Sequence, residues 1–111
     1  METESALLGF AALSQSTRLE TFRLLVRHEP KGLAAGEIAD RLSVPANTLS
    51  AHLGVLSRAG LVTATRHSRS IVYRADLSQL SGLVLFLVKD CCQGRSELCQ
   101  PLVAELAPCC A

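Results

Sequence analysis

The spacing of apolar residues changes period at Gly60, and that switch limits the folds open to this chain. Upstream, apolar residues recur every three or four positions. They fall at Ala6, Leu7, Phe10 and Leu13, at Leu19, Phe22, Leu25 and Val26, at Ile38, Ala39 and Leu42, and at Leu49, Leu53 and Leu56. This is the repeat of helices that each bury one face. Just after Gly60, residues 61–65 and 70–74 alternate, which is the repeat of strands. Helical spacing then returns as a stripe of Leu80, Leu83, Val84, Leu87, Val88 and Cys91, with Leu85 and Phe86 beside it.

The residues between these runs punctuate them. Ser14-Gln15-Ser16 offers capping oxygens for the second helix, and Pro30 and Gly32 break the chain after it. Residues 36–42 form a short helix, Ser43-Val44-Pro45 a turn, and residues 47–59 a longer helix that Gly60 stops. Arg66-His67-Ser68-Arg69 reads as the polar turn of a hairpin. Asp76 reads as the N-cap of the last helix.

A short helix, a tight turn and a second helix make a helix-turn-helix, and a basic hairpin after it is a wing. The expected fold is therefore mainly α (α+β): a winged helix-turn-helix with a two-stranded β-hairpin. Residues 1–92 form the folded domain, and residues 93–111 a cysteine-containing C-terminal tail. The chain shows no internal repeat and no low-complexity tract.

Charge is distributed unevenly. Residues 41–75 contain no acid, yet hold Arg41, Arg58, Arg66, Arg69 and Arg74 with His52 and His67. Residues 1–40 hold six acids and four bases, and residues 76–111 four acids and two bases. A net charge of +1 hides one basic face suited to a polyanion. Hydrophobic residues make up 49% of the 111, which argues against disorder and is high for a small monomer. That surplus, with the greasy last helix, points to a second subunit.

Met1-Glu2-Thr3-Glu4 lacks the pattern of a signal peptide, and the longest apolar run, residues 83–88, is far short of a membrane span. A cytoplasmic chain with no membrane partner is the expectation.

The second helix of a helix-turn-helix lies in the major groove and reads base edges near its N-terminus. Here those residues are Asn47, Thr48, Ser50, Ala51 and His52. Asn can bond adenine on two atoms, Ser and Thr are versatile, and Ala can touch a thymine methyl. Arg66 and Arg69 suit phosphate or minor-groove contact. His52 fits a half-buried helix position as well as it fits a base contact. Tyr73 joins this set, although packing of the hairpin explains it better than a phosphate contact.

The run Asn47-Thr48-Leu49-Ser50-Ala51-His52-Leu53-Gly54-Val55-Leu56-Ser57-Arg58-Ala59-Gly60-Leu61-Val62 resembles the recognition helix and following strand of ArsR-type (ArsR/SmtB) winged-helix metalloregulators. Ser14-Gln15-Ser16-Thr17-Arg18-Leu19 resembles the start of that family's second helix. The likeness runs from about residue 7 to residue 88. It implies a homodimeric repressor, joined through its first and last helices, that leaves double-stranded operator DNA when an inducer binds.

The five cysteines all lie late, at Cys91, Cys92, Cys99, Cys109 and Cys110. In a reducing compartment they read as metal-binding or redox-active. Cys91, Cys92 and Cys99 fall within nine residues, with Gly94 free to turn the chain back. Three converging thiolates suit a soft, pyramidal centre such as trivalent arsenic or antimony. Inert burial is the competing reading, Cys91 above all, since it continues the apolar stripe. Cys109 and Cys110 read first as loose tail, with extra ligands or a thiol relay as alternatives.

Many members of the resembled family carry a Cys-x-Cys pair in the first helix of the helix-turn-helix, and residues 36–42 have none. A subgroup instead places a Cys-Cys pair and a third Cys after the last long helix, as at Cys91, Cys92 and Cys99. The family's zinc-sensing variants use Asp and His on the last helix. Asp76 and Asp90 are present, but no His follows His67.

The expected function is a repressor that senses trivalent arsenic, or antimony, as its inducer. The alternative is a thiol redox sensor, or a sensor of another soft metal or an organoarsenical, on the same fold. An enzyme is not expected, nor a catalytic cofactor. There is no Cys-x-x-Cys pair, no Gly-rich phosphate loop, and no cysteine followed by five residues and an arginine.

Overall fold

The computed structural model describes residues 1–88, together with Pro101 and Glu105. Five helices and a small sheet follow in the order α1 (Thr3–Leu13), α2 (Ser16–Arg27), β1 (Leu33–Ala34), α3 (Ala35–Leu42), α4 (Ala46–Arg58), β2 (Val62–His67), β3 (Ser70–Ala75) and α5 (Leu77–Val88). This is a winged helix-turn-helix. All five cysteines, and the tail of residues 93–111 apart from Pro101 and Glu105, lie outside the described residues.

The core forms where α4 meets the other elements. Leu49, Leu53 and Leu56 are sealed in one cluster with Phe22, Leu24 and Leu25 of α2, Ile38 of α3, Leu61 of the turn after α4, and Val62 and Ala75 of the sheet. Leu83 of α5 closes the set. Burying a leucine fully stabilises the fold by about 1.5–3 kcal/mol, so these rows hold α4 in place.

α1 contributes a face of small residues, Ala6, Gly9 and Ala12. A Cβ at Gly9 would sit 2.9 Å from both Leu83 methyl carbons, so only glycine lets α5 come this close. Leu7 and Leu19, which helical spacing grouped with the inward residues, are instead 61% and 42% exposed. Their places inside are taken by the small α1 residues and by Thr21 and Leu24 of α2. Thr21 is tolerated there because its hydroxyl donates to the Thr17 carbonyl at 2.7 Å.

The sheet has three antiparallel strands in the order β1-β3-β2, one more than the hairpin expected from sequence. β1 pairs Leu33 with Tyr73 and Ala34 with Val72. Two residues are too few to show a period of two. The strands of the hairpin also run further than their alternation suggested, taking in Arg66 and His67 and leaving Ser68-Arg69 as the turn. Ser68 has φ +56°, the left-handed geometry that a two-residue hairpin turn requires.

Candidate nucleic-acid interface

α3 ends with Ser43 in the left-handed region, and the Val44 N–H donates to the Ala39 carbonyl at 3.0 Å. This closes the turn sharply and starts α4 at Ala46. No side chain caps α4, so the positive end of its backbone faces outward. Asn47, Thr48, Ser50 and Ala51 are all exposed there, while Leu49 among them and Leu53 one turn on are buried. The head of α4 is therefore a small, polar, uncharged surface backed by a rigid apolar row. Asn47 Oδ1 accepts from the Thr48 N–H at 3.0 Å.

His52 lies one helical turn behind Thr48 and is half-buried. Its Nδ1 is 3.3 Å from Nη1 of Arg18, and Arg18 Nε donates to the Ala12 carbonyl at 2.7 Å. Arg18 was not legible as part of this surface. Its partner is 34 positions away, and no spacing rule joins them.

The wing stands beside α4. Val62 and Ala75 face the core, and the alternation from them puts Arg66, Ile71 and Tyr73 on one side and Arg74 on the other. Arg66 and Arg69 are exposed, whereas Tyr73 is half-buried and packs against the core. Ser50, Arg69 and Tyr73 line a common groove of about 340 Å³, with Gly36 of α3 and Ile71. The expected residues thus fall into an α4 head, a wing tip, and a groove between them.

Two further links hold this surface. Arg74 grips Glu29 with two bonds, Nε to Oε1 at 3.1 Å and Nη2 to Oε2 at 2.7 Å, tying β3 to the loop after α2. That bonding holds the Glu29 carboxyl below the usual carboxylate value, against a smaller upward push from burial. At the other end of α4, Gly60 takes φ +78°, and its N–H and that of Leu61 donate to the carbonyls of Ser57 and Leu56 at 3.0 Å each. This is a Schellman cap, and the buried pair Leu56 and Leu61 completes it.

α5 begins on that same cap. The Asp76 N–H donates to the Leu61 carbonyl at 2.8 Å, and Asp76 Oδ1 caps the helix by accepting from the Gln79 N–H at 3.0 Å. The Gln79 side chain donates to the Ala59 carbonyl at 3.2 Å. The first turn of α5 is thus bonded to the last turn of α4. Among the described residues, no three His, Cys, Asp or Glu side chains gather as a metal site, and no helix is long and apolar enough to cross a membrane.

An outward polar helix head beside a basic wing, with no acid from residue 41 to residue 75, is the arrangement of a winged helix-turn-helix of the DNA-binding class. Comparison with known proteins gives the family. A family model for a helix-turn-helix domain matches residues 13–64. The solved structure of an ArsR-like transcriptional regulator from Rhodococcus sp. RHA1 is 30% identical, with a TM-score of 0.71, over 94% of this chain and 92% of that one. The transcriptional activator HlyU of Vibrio cholerae is 28% identical over 97 residues, 86% of this chain and 87% of that protein. The homodimeric winged helix-turn-helix DNA-binding domain of Mb0332 from Mycobacterium bovis is 28% identical, with a TM-score of 0.63, over 78% of this chain and 81% of that one. The chain belongs to the ArsR family of transcriptional regulators.

Proposed function

We propose that this regulator is a cytoplasmic homodimeric repressor that binds operator DNA and releases it when trivalent arsenic, or antimony, binds Cys91, Cys92 and Cys99. The observation that carries the DNA half is the α4 head, where Asn47, Thr48, Ser50 and Ala51 are exposed above a buried leucine row. Arg66 and Arg69 add phosphate contacts beside it, and no acid between residues 41 and 75 opposes them.

The dimer is supported by an apolar surface that one protomer leaves open. Leu7 and Leu8 on α1 and Leu85 and Leu87 on α5 are each 60–63% exposed. The two helices pack on each other where Gly9 meets Leu83, so a second copy seated there can cover part of this apolar surface, and Mb0332 is itself homodimeric. A dimer places two α4 helices on half-sites about 34 Å apart, so a small change in its geometry removes contacts.

The sensing half is supported by donor chemistry. Three thiolates within nine residues suit a soft three-coordinate centre, and they follow directly on α5. Strain placed there has a bonded route to α4 through Gln79 and Ala59. Linkage then requires DNA to weaken arsenite binding by the factor by which arsenite weakens DNA binding. Cys109 and Cys110, which this site does not use, favour a second reading in which the signal is a thiol oxidant or another thiophilic ion.

The test is fluorescence anisotropy of the reduced chain on the DNA upstream of its own coding sequence, with a phosphine as reductant. Release by arsenite, lost in Cys92→Ser and Cys99→Ser, is the expected result. Tight binding that peroxide reverses and arsenite does not would move the assignment to the redox reading. Absence of binding to that DNA refutes the repressor.

A further inference from the structure

Arg18 reaches across two helices to the imidazole of His52. Its own N–H is held by the Gln15 side chain at 2.9 Å, and its Nε by the Ala12 carbonyl at 2.7 Å, so the guanidinium is fixed at the corner between α1 and α2. A guanidinium has only donors and does not lose its proton. At 3.3 Å from Nη1, the Nδ1 of His52 must therefore present a lone pair. A neutral imidazole carries one proton, and here it is left to Nε2.

Nε2 has no bonding partner among the described residues. No buried side-chain nitrogen or oxygen there lacks a partner, so Nε2 opens to solvent. His52 lies on the same side of α4 as exposed Thr48, four residues before it.

We infer that Arg18 is a positioning residue that locks His52 in the Nε2–H tautomer and makes it an obligatory hydrogen-bond donor towards the DNA read by α4. The inference rests on the DNA-binding half of the proposed function. An unconstrained histidine can meet a donor or an acceptor; a locked one meets only acceptors. It donates to guanine O6 or N7, adenine N7, thymine O4 or a phosphate oxygen, and it disfavours the amino groups of cytosine and adenine. The residue behind the helix thus restricts what the residue in front can read.

Two measurements test this on the full chain. Long-range ¹⁵N–¹H correlation spectra at about pH 8 distinguish the tautomers without DNA. The expected pattern is a single Nε2–H form for His52 that relaxes in Arg18→Met to the averaged pattern of free histidine in the same buffer. An averaged pattern or an Nδ1–H form in the unmodified chain overturns the lock.

Anisotropy on the upstream DNA then compares His52→Gln, which keeps an N–H near the Nε2 position, with His52→Leu, which does not. Leu should weaken binding about tenfold or more, and Gln by no more than about threefold. Equal losses, or none, overturn the donor role. If the unmodified chain binds no DNA, the repressor assignment and the donor role fall together, while the spectra still decide the tautomer.

Discussion

One added methyl group at Gly60 should separate two forces that hold α4 to α5. Gly60 has φ +78°, so Gly60→Ala forces a side chain into the left-handed region, at about 1–2 kcal/mol. The new Cβ also lies 3.3 Å from Cδ and Nε2 of Gln79. Gln79 cannot yield freely, because its Nε2 is bonded to the Ala59 carbonyl at 3.2 Å. Displacing it gives up a net contribution of about 1 kcal/mol.

The sum, about 2–3 kcal/mol, lowers the thermal midpoint of a domain this size by roughly 10–20 °C. Circular dichroism at one fixed protein concentration measures it, since dimerisation would make the midpoint concentration-dependent. The decisive comparison is Gly60→Ala in a Gln79→Ala background, where only the dihedral part, about 1–2 kcal/mol, remains. An equal drop in both backgrounds refutes the contact with Gln79. No drop in either refutes the Schellman geometry.

Three further outcomes follow from the same geometry. Leu85→Glu places a charge on the exposed apolar face of α1 and α5, and sedimentation velocity should find it monomeric with helix content unchanged; a variant that stays dimeric puts the interface elsewhere. Glu29→Gln removes a carboxylate that Arg74 holds below its ordinary value of 4.5, so its stabilisation is present above that value and lost as pH falls through the lower folded-state value. The difference in urea midpoint between this variant and the parent should therefore be steady near neutrality and vanish on acidification below 4.5, and a difference that persists there refutes the ion pair as its source. Arg69→Ala should weaken binding to every DNA sequence by a similar factor and make the salt dependence shallower by about one unit, whereas selective loss on one sequence would make Arg69 a base reader.

The parts of the fold that sequence reveals are those in which one local pattern settles the matter. Leu49, Leu53 and Leu56 repeat at helical spacing and all three are buried, Gly60 stops α4, and Asp76 caps α5. The pattern fails where a neighbour decides. Leu19 has helical spacing yet remains exposed, and α1 buries alanines and a glycine because Leu83 needs room. β1 exists only because Tyr73 and Val72 supply its partners.

The candidate site divides the same way. The polar head of α4 was readable because exposed and buried residues alternate within a single helix. The Arg18–His52 and Gln79–Ala59 links were not, because each joins residues distant in sequence whose types give no sign of pairing.

The packing of Gly9 against Leu83 also fixes an order of events during synthesis. The ribosome delivers α1 first and Leu83 only after the helix-turn-helix and the wing are complete, at about 5–20 residues per second. For those seconds the slot beside Gly9 that Leu83 fills stands open to water. The nascent chain thus carries α4 and the wing before it has a finished interior.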